Sequence, residues 1–178
     1  MPETDYQHLR TILPLIETQL VSEGVVPKSN QIVWAFVGQD VPTFNPPREI
    51  VFRIGEDSPR EGDFFLGSGS TDRRAKRMLH VELRTRVQLD KSNDKIQLLT
   101  NATKGHLQFE DLVMDALDNW HPTAGDGGSI YELCPDAPLE WVGTTHPQEY
   151  PMSKDWSVST MMFLVPYVKN VTRNGSES

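Results

Sequence analysis

Apolar residues recur along the chain with a period that switches between three-to-four and two. Tyr6, Leu9, Leu13, Ile16 and Leu20 fall on one helical face and predict a helix over residues 4–23. Thr4 is placed to cap its start, and Gly24 to take the left-handed position that ends it. Pro14 lies inside the stripe, where it removes one backbone bond and favours a kink. Residues 31–37 and 49–54 are short, β-branched and aromatic, which predicts two strands separated by Pro42, Pro46 and Pro47.

The clearest period-two segment follows. Leu79, Val81, Leu83, Val87 and Leu89 alternate with His80, Glu82, Arg84, Arg86 and Gln88, with Thr85 the one polar member of the apolar set. This predicts a long strand with one face buried and the other wet or against a partner. Phe109, Leu112, Val113, Ala116, Leu117 and Trp120 predict a helix over 106–119, entered from 90–101. Two further strands are expected at 139–143 and 156–168, joined by a connection over 146–155. The order is that of an α+β domain: a mainly antiparallel β-sheet flanked by two helices, with a long projecting loop or hairpin arm at about 56–77. One domain over 1–169 and a flexible tail over 170–178 complete the expectation.

Composition narrows the class. The chain has 178 residues, 37% hydrophobic and 24% charged, so one core suffices. Its single cysteine, Cys134, excludes a disulfide framework within one chain. The formal charge of −8 argues against nonspecific DNA binding driven by the overall field. The sequence has no apolar run near the length of a membrane span and no basic-then-apolar leader, so neither membrane insertion nor secretion is expected.

A search for reactive constellations yields no catalytic, cofactor-binding or metal-binding residues. Phosphate loops, dinucleotide fingerprints and nucleophile elbows do not occur; Gly67-Ser68-Gly69-Ser70 lacks the strand and helix such a turn needs. His80 and Glu82 form an H-x-E, but the second cysteine of a zinc deaminase is missing. The two share a strand face, where a His/carboxylate pair could act as acid and base; the alternative is a plain polar strand face. His8, His106, His121 and His146 are scattered singly.

Charge distribution says more. Arg73, Arg74, Lys76 and Arg77 lead into Arg84 and Arg86, a basic group in an acidic chain. One reading is a subunit interface in which this group meets Glu56, Asp57, Glu61 and Asp63 of a neighbour. Contact with nucleic-acid phosphates and an ordinary solvated face are the others. Phe64, Phe65 and Leu66 interrupt the polar arm, either to dock into a partner chain or to fold back onto their own core.

This layout resembles the tail terminator proteins of long-tailed bacteriophages and related minor tail or neck proteins. The resemblance rests on the opening helix and strand at 32–37. It continues through the alternating run Leu79-His80-Val81-Glu82-Leu83-Arg84-Thr85-Arg86-Val87 before the helix at 109–117. It closes on Leu139-Glu140-Trp141-Val142-Gly143, then Asp155-Trp156-Ser157-Val158-Ser159, then Val165-Pro166-Tyr167-Val168. The family implies no catalytic residues and no cofactor. It implies a homo-oligomeric ring, usually a hexamer, in the virion tail or neck, assembled in the host cytoplasm. Such a ring caps the tail tube and meets tail tube and head–tail connector proteins. DNA passes through without specific binding and no membrane is involved. A baseplate or tail tube component is the nearest alternative, and a small cytoplasmic enzyme using His80 and Glu82 a more distant one.

Overall fold

A computed structural model describes residues 3–5, 7–42, 47–57, 72–86, 99–122, 138–150 and 153–172. The chain runs β1 (Glu3–Asp5), α1 (Gln7–Ser22), a 3-10 turn (Ser29–Gln31), β2 (Ile32–Ala35), β3 (Arg48–Asp57), β4 (Asp72–Arg86), α2 (His106–Leu117), β5 (Glu140–Thr144), β6 (Gln148–Tyr150) and β7 (Ser153–Thr172). The α+β architecture expected from the hydrophobic pattern is the one observed.

β7 is the spine of the sheet. One side of it pairs antiparallel with β4 along the whole of β4. Its other side pairs in succession with β6, β5 and β1. Beyond β4 lie β3, antiparallel, and then β2, parallel to β3 and last in the order. A spine this long is possible because residues 156–168 supply a two-sided apolar run. Met161, Phe163, Val165 and Tyr167 are buried on one side, Trp156, Val158 and Val168 on the other.

Both helices pack on one face of the sheet. Leu9, Ile12, Ile16 and Leu20 of α1 and Phe109, Val113, Ala116 and Leu117 of α2 meet Ile50, Phe52, Leu79, Val81, Leu83, Met161 and Phe163 in one core. In α1, Ile12 rather than Leu13 is the fully buried member of the stripe. The helix runs through Pro14 and ends where the sequence predicts. Gly24 has φ +70, its N–H bonds the carbonyl of Val21, and the Val25 N–H reaches that of Leu20. That is a Schellman motif, which needs a residue tolerant of positive φ.

Several boundaries differ from expectation. Thr4 does not cap α1: residues 3–5 are a strand paired with 170–172. Those same residues, placed in a tail by their lack of core content, are the end of β7, paired with β1 throughout and with β4 at Asn170. Backbone pairing, which apolar content does not report, fixes them. Residues 72–77, assigned to the arm, are the first six residues of β4. The connection at 146–155 contains β6, a short hairpin partner of β7. Residues 58–71, 87–98 and 123–137 lie outside the described residues, and with them Glu61, Asp63, Phe64, Phe65, Leu66 and Cys134.

Candidate functional site

The face of the sheet away from the helices carries most of the charged residues singled out in the sequence. Alternation along β3 and β4 places Glu49, Val51 and Arg53 beside Arg84, Glu82 and His80 in register. A wet or partner-facing surface was the expectation here; the structure corrects it for Arg84. Only 1% of this side chain is exposed, and that of Glu49 is 0% exposed. The segment after β2 crosses above them. The Arg84 guanidinium donates to the Val41 carbonyl at 2.6 Å, and Arg53 donates to the Gln39 carbonyl at 3.0 Å. Arg84 also bonds Glu82 Oε1 at 2.6 Å and stands 3.7 Å from Glu49. Val41 is itself buried, and with it the strap covers Arg84 and Glu49.

This cluster answers the acid/base reading of His80 and Glu82. Both carboxylate oxygens of Glu82 are engaged, Oε1 by Arg84 and Oε2 by Arg53 at 2.6 Å. His80 lies across the strand from Arg53, close enough to Gly55 that a Cβ there would meet its Nε2 at 2.9 Å.

Two of the other basic residues also find partners within the chain. Arg77 pairs with Asp57 at 3.0 Å, and the Tyr167 hydroxyl donates to the same carboxylate at 2.8 Å. Lys76 pairs with Glu140 at 2.5 Å. The basic–acidic complementarity predicted between neighbouring subunits is therefore met inside one chain for Arg77 and Asp57. The physical reason is the β3–β4 register, which sets Asp57 opposite Arg77. Arg86 and Glu56 are exposed near opposite ends of these strands. Arg73 and Arg74 lie on β4 level with Lys169 and Val168.

A second polar cluster was missed by the sequence reading. His106 opens α2 and is fully buried against the sheet. Its Nδ1 is 3.0 Å from Thr85 Oγ1 and its Nε2 is 2.8 Å from Ser159 Oγ. The Ser159 hydroxyl donates to Glu110 at 2.5 Å, so it accepts from His106 Nε2–H. The chain of bonds pins α2 to β4 and β7. A Ser–His–carboxylate set invites comparison with a hydrolase triad. There the carboxylate holds the imidazole Nδ1; here Thr85 occupies that nitrogen and Glu110 binds the serine. The signals in the sequence were Thr85, polar among apolar positions, and the His106–Glu110 spacing of one helical turn. Nearby, partial burial lowers the Arg48 guanidinium from its ordinary value as it lies over the Phe109 ring. Arg48 also bonds the Gln108 side chain.

Exposed apolar side chains remain. Trp34, Phe36, Val37 and Ile54 gather at the β2 side of the sheet, and Trp141 and Val142 at the β5 side. Phe36 is 82% exposed and Val37 63%. They sit in a closed turn: the Gln39 N–H bonds the Phe36 carbonyl, the Gln39 side chain accepts from the Phe36 N–H, and Gly38 has φ +80. Positive φ at the third position is the mark of a type II turn.

Among the described residues no His, Cys, Asp and Glu side chains group in threes or more to hold a metal ion. No helix among them is long and apolar enough to cross a membrane. No family model and no curated protein matches the sequence. Among solved structures, the chain is similar to one described as "Virion of native gene transfer agent (GTA) particle", with a TM-score of 0.49 and 11% identity over 95% of this chain and 100% of that one.

Proposed function

We propose that this chain is a structural subunit of a phage-type virion, a tail terminator that forms a ring on the tail tube and meets the head connector. One observation carries the reading: large apolar residues are left exposed at both sides of an open sheet, while Lys76, Arg77, Glu82 and Arg84 are used up in pairs within the chain. Exposed aromatics at two different places suit a subunit with two different neighbours, as a ring requires. The element order that resembles tail terminators supports the same reading, as does the net charge of −8, which would keep passing DNA from adhering to a ring. The proposed partners are further copies of the chain, tail tube protein and head–tail connector proteins.

The test is to add the purified protein to its phage's tail tube protein during polymerisation and image the products. A terminator stops growth and appears as a ring at one end of each tube. Incorporation along the tube would make it a tube component. Tubes of unaltered length without bound protein would contradict the proposal.

A further inference from the structure

The two exposed apolar patches lie on one row of the sheet. Trp141 pairs with Phe163, Phe163 with Leu79 and Leu79 with Ile54. Phe36 follows Ala35, whose partner on β3 is Arg53, so Phe36 is level with Ile54. Trp141 and Phe36 thus mark the two ends of a single row that crosses β5, β7, β4 and β3 and ends at the turn just beyond β2. The row is about 19 Å wide at the usual strand spacing.

We infer that the Phe36–Val37 turn of one subunit docks against the Trp141–Val142 patch of β5 on the next copy of this chain. The inference rests on the ring reading above and names the contact that would build it. Three features select a second copy as the occupant. Patches at opposite ends of one row meet when a copy is set beside another without a step along the strands. A head-to-tail contact without such a step closes into a ring when the rotation between neighbours divides the full turn, whereas one with a step climbs into a filament. One such contact covers both patches, while a two-fold dimer through either patch leaves the other exposed.

The turn is also built to be presented. Arg53 and Arg84 clamp the carbonyls of Gln39 and Val41 just beyond it, and the Gln39 side chain locks it from within. A fixed apolar knob binds without losing freedom on contact. Phe36 and Val37 offer roughly 250 Å² of apolar surface, about a third of the ~800 Å² that each partner gives to a standard interface. The knob is therefore the centre of the contact, and the polar margins of the two edges are its rim. The contact is made by side chains rather than by strand addition, because the outer edge of β5 is partly occupied. The Asn119 N–H bonds the Leu139 carbonyl, the Leu139 N–H bonds that of Trp120, and the Trp141 N–H bonds Asp118.

The experiment compares the wild-type chain with Phe36→Asp and Trp141→Asp, alone and mixed in equal amounts, by light scattering and native mass spectrometry. Both side chains are exposed, and circular dichroism with a thermal scan confirms folding; Val37→Asp and Val142→Asp stand in if either fails. Wild-type rings, monomeric single variants and a heterodimer in the mixture are the expected results, since the mixture restores one intact contact. Rings in either variant would overturn this contact and leave the ring reading standing. Homodimers of a single variant, or a mixture that stays monomeric, would equally overturn it. Intact variant rings that no longer bind tail tubes would give the patch to the tube protein instead. A wild-type chain that is monomeric at every concentration, with and without tail tubes, would remove the ring reading itself.

Discussion

Replacing Arg84 by Met removes a guanidinium that stands between Glu49 and Glu82 beneath the 39–42 strap. The substitution keeps side-chain length and apolar volume but leaves Glu49, fully buried, without the guanidinium 3.7 Å away, and Val41 without its 2.6 Å donor. Breaking a buried pair from one side costs about 3–5 kcal/mol, because the remaining charge keeps its desolvation penalty. For a chain of this length that lowers the melting temperature by roughly 10 °C. Urea unfolding at fixed protein concentration in the Phe36→Asp background measures it free of assembly effects. The double variant Glu49→Leu, Arg84→Met should recover at least half of the loss, since an apolar pair needs no desolvation. A cost below about 1 kcal/mol for Arg84→Met, or no recovery in the double variant, would refute the claim that this cluster is dry and mutually dependent.

Two other substitutions probe how α2 is anchored. At Gly105 a Cβ would lie 2.5 Å from the Asn101 carbonyl oxygen and 2.7 Å from both the Asn101 nitrogen and the Leu99 oxygen. All three are backbone atoms that cannot swing aside, so Gly105→Ala should cost about 3 kcal/mol or more in urea unfolding. Ser159→Ala cuts the bond chain between His106 and Glu110 and should cost about 1–3 kcal/mol, because the buried imidazole loses an acceptor. Hydrogen exchange should show the loss in α2 before the β4–β7 pairing.

The hydrophobic period made the elements legible and left their edges obscure. The alternation at 79–83, the stripe Phe109–Val113–Ala116–Leu117 and the Gly24 stop all appear where the sequence places them. β1 and the end of β7 were not legible, because their residues are mostly polar and what orders them is pairing between strands distant in sequence. Arg84 was misread for a related reason. Alternation tells which residues share a face, not whether another segment covers it, and the strap over Arg84 is an irregular passage with no period of its own. Of the thirteen residues expected at an interface, Glu61, Asp63, Phe64, Phe65 and Leu66 lie outside the described residues. The Arg77–Asp57 and Lys76–Glu140 pairs depend on strand register, which composition does not encode. The knob at Phe36 was visible in sequence only as the end of a predicted strand. Its exposure follows from β2 being last in the sheet order.

The central claim is that this chain closes on itself into a ring. The most direct measurement is the solution mass by light scattering over a wide concentration series, with negative-stain images of the same fractions. The account predicts a single closed species of about six subunits at high concentration, reached without open tubes or filaments. A strict monomer across the series, unchanged when tail tubes are added, would contradict it.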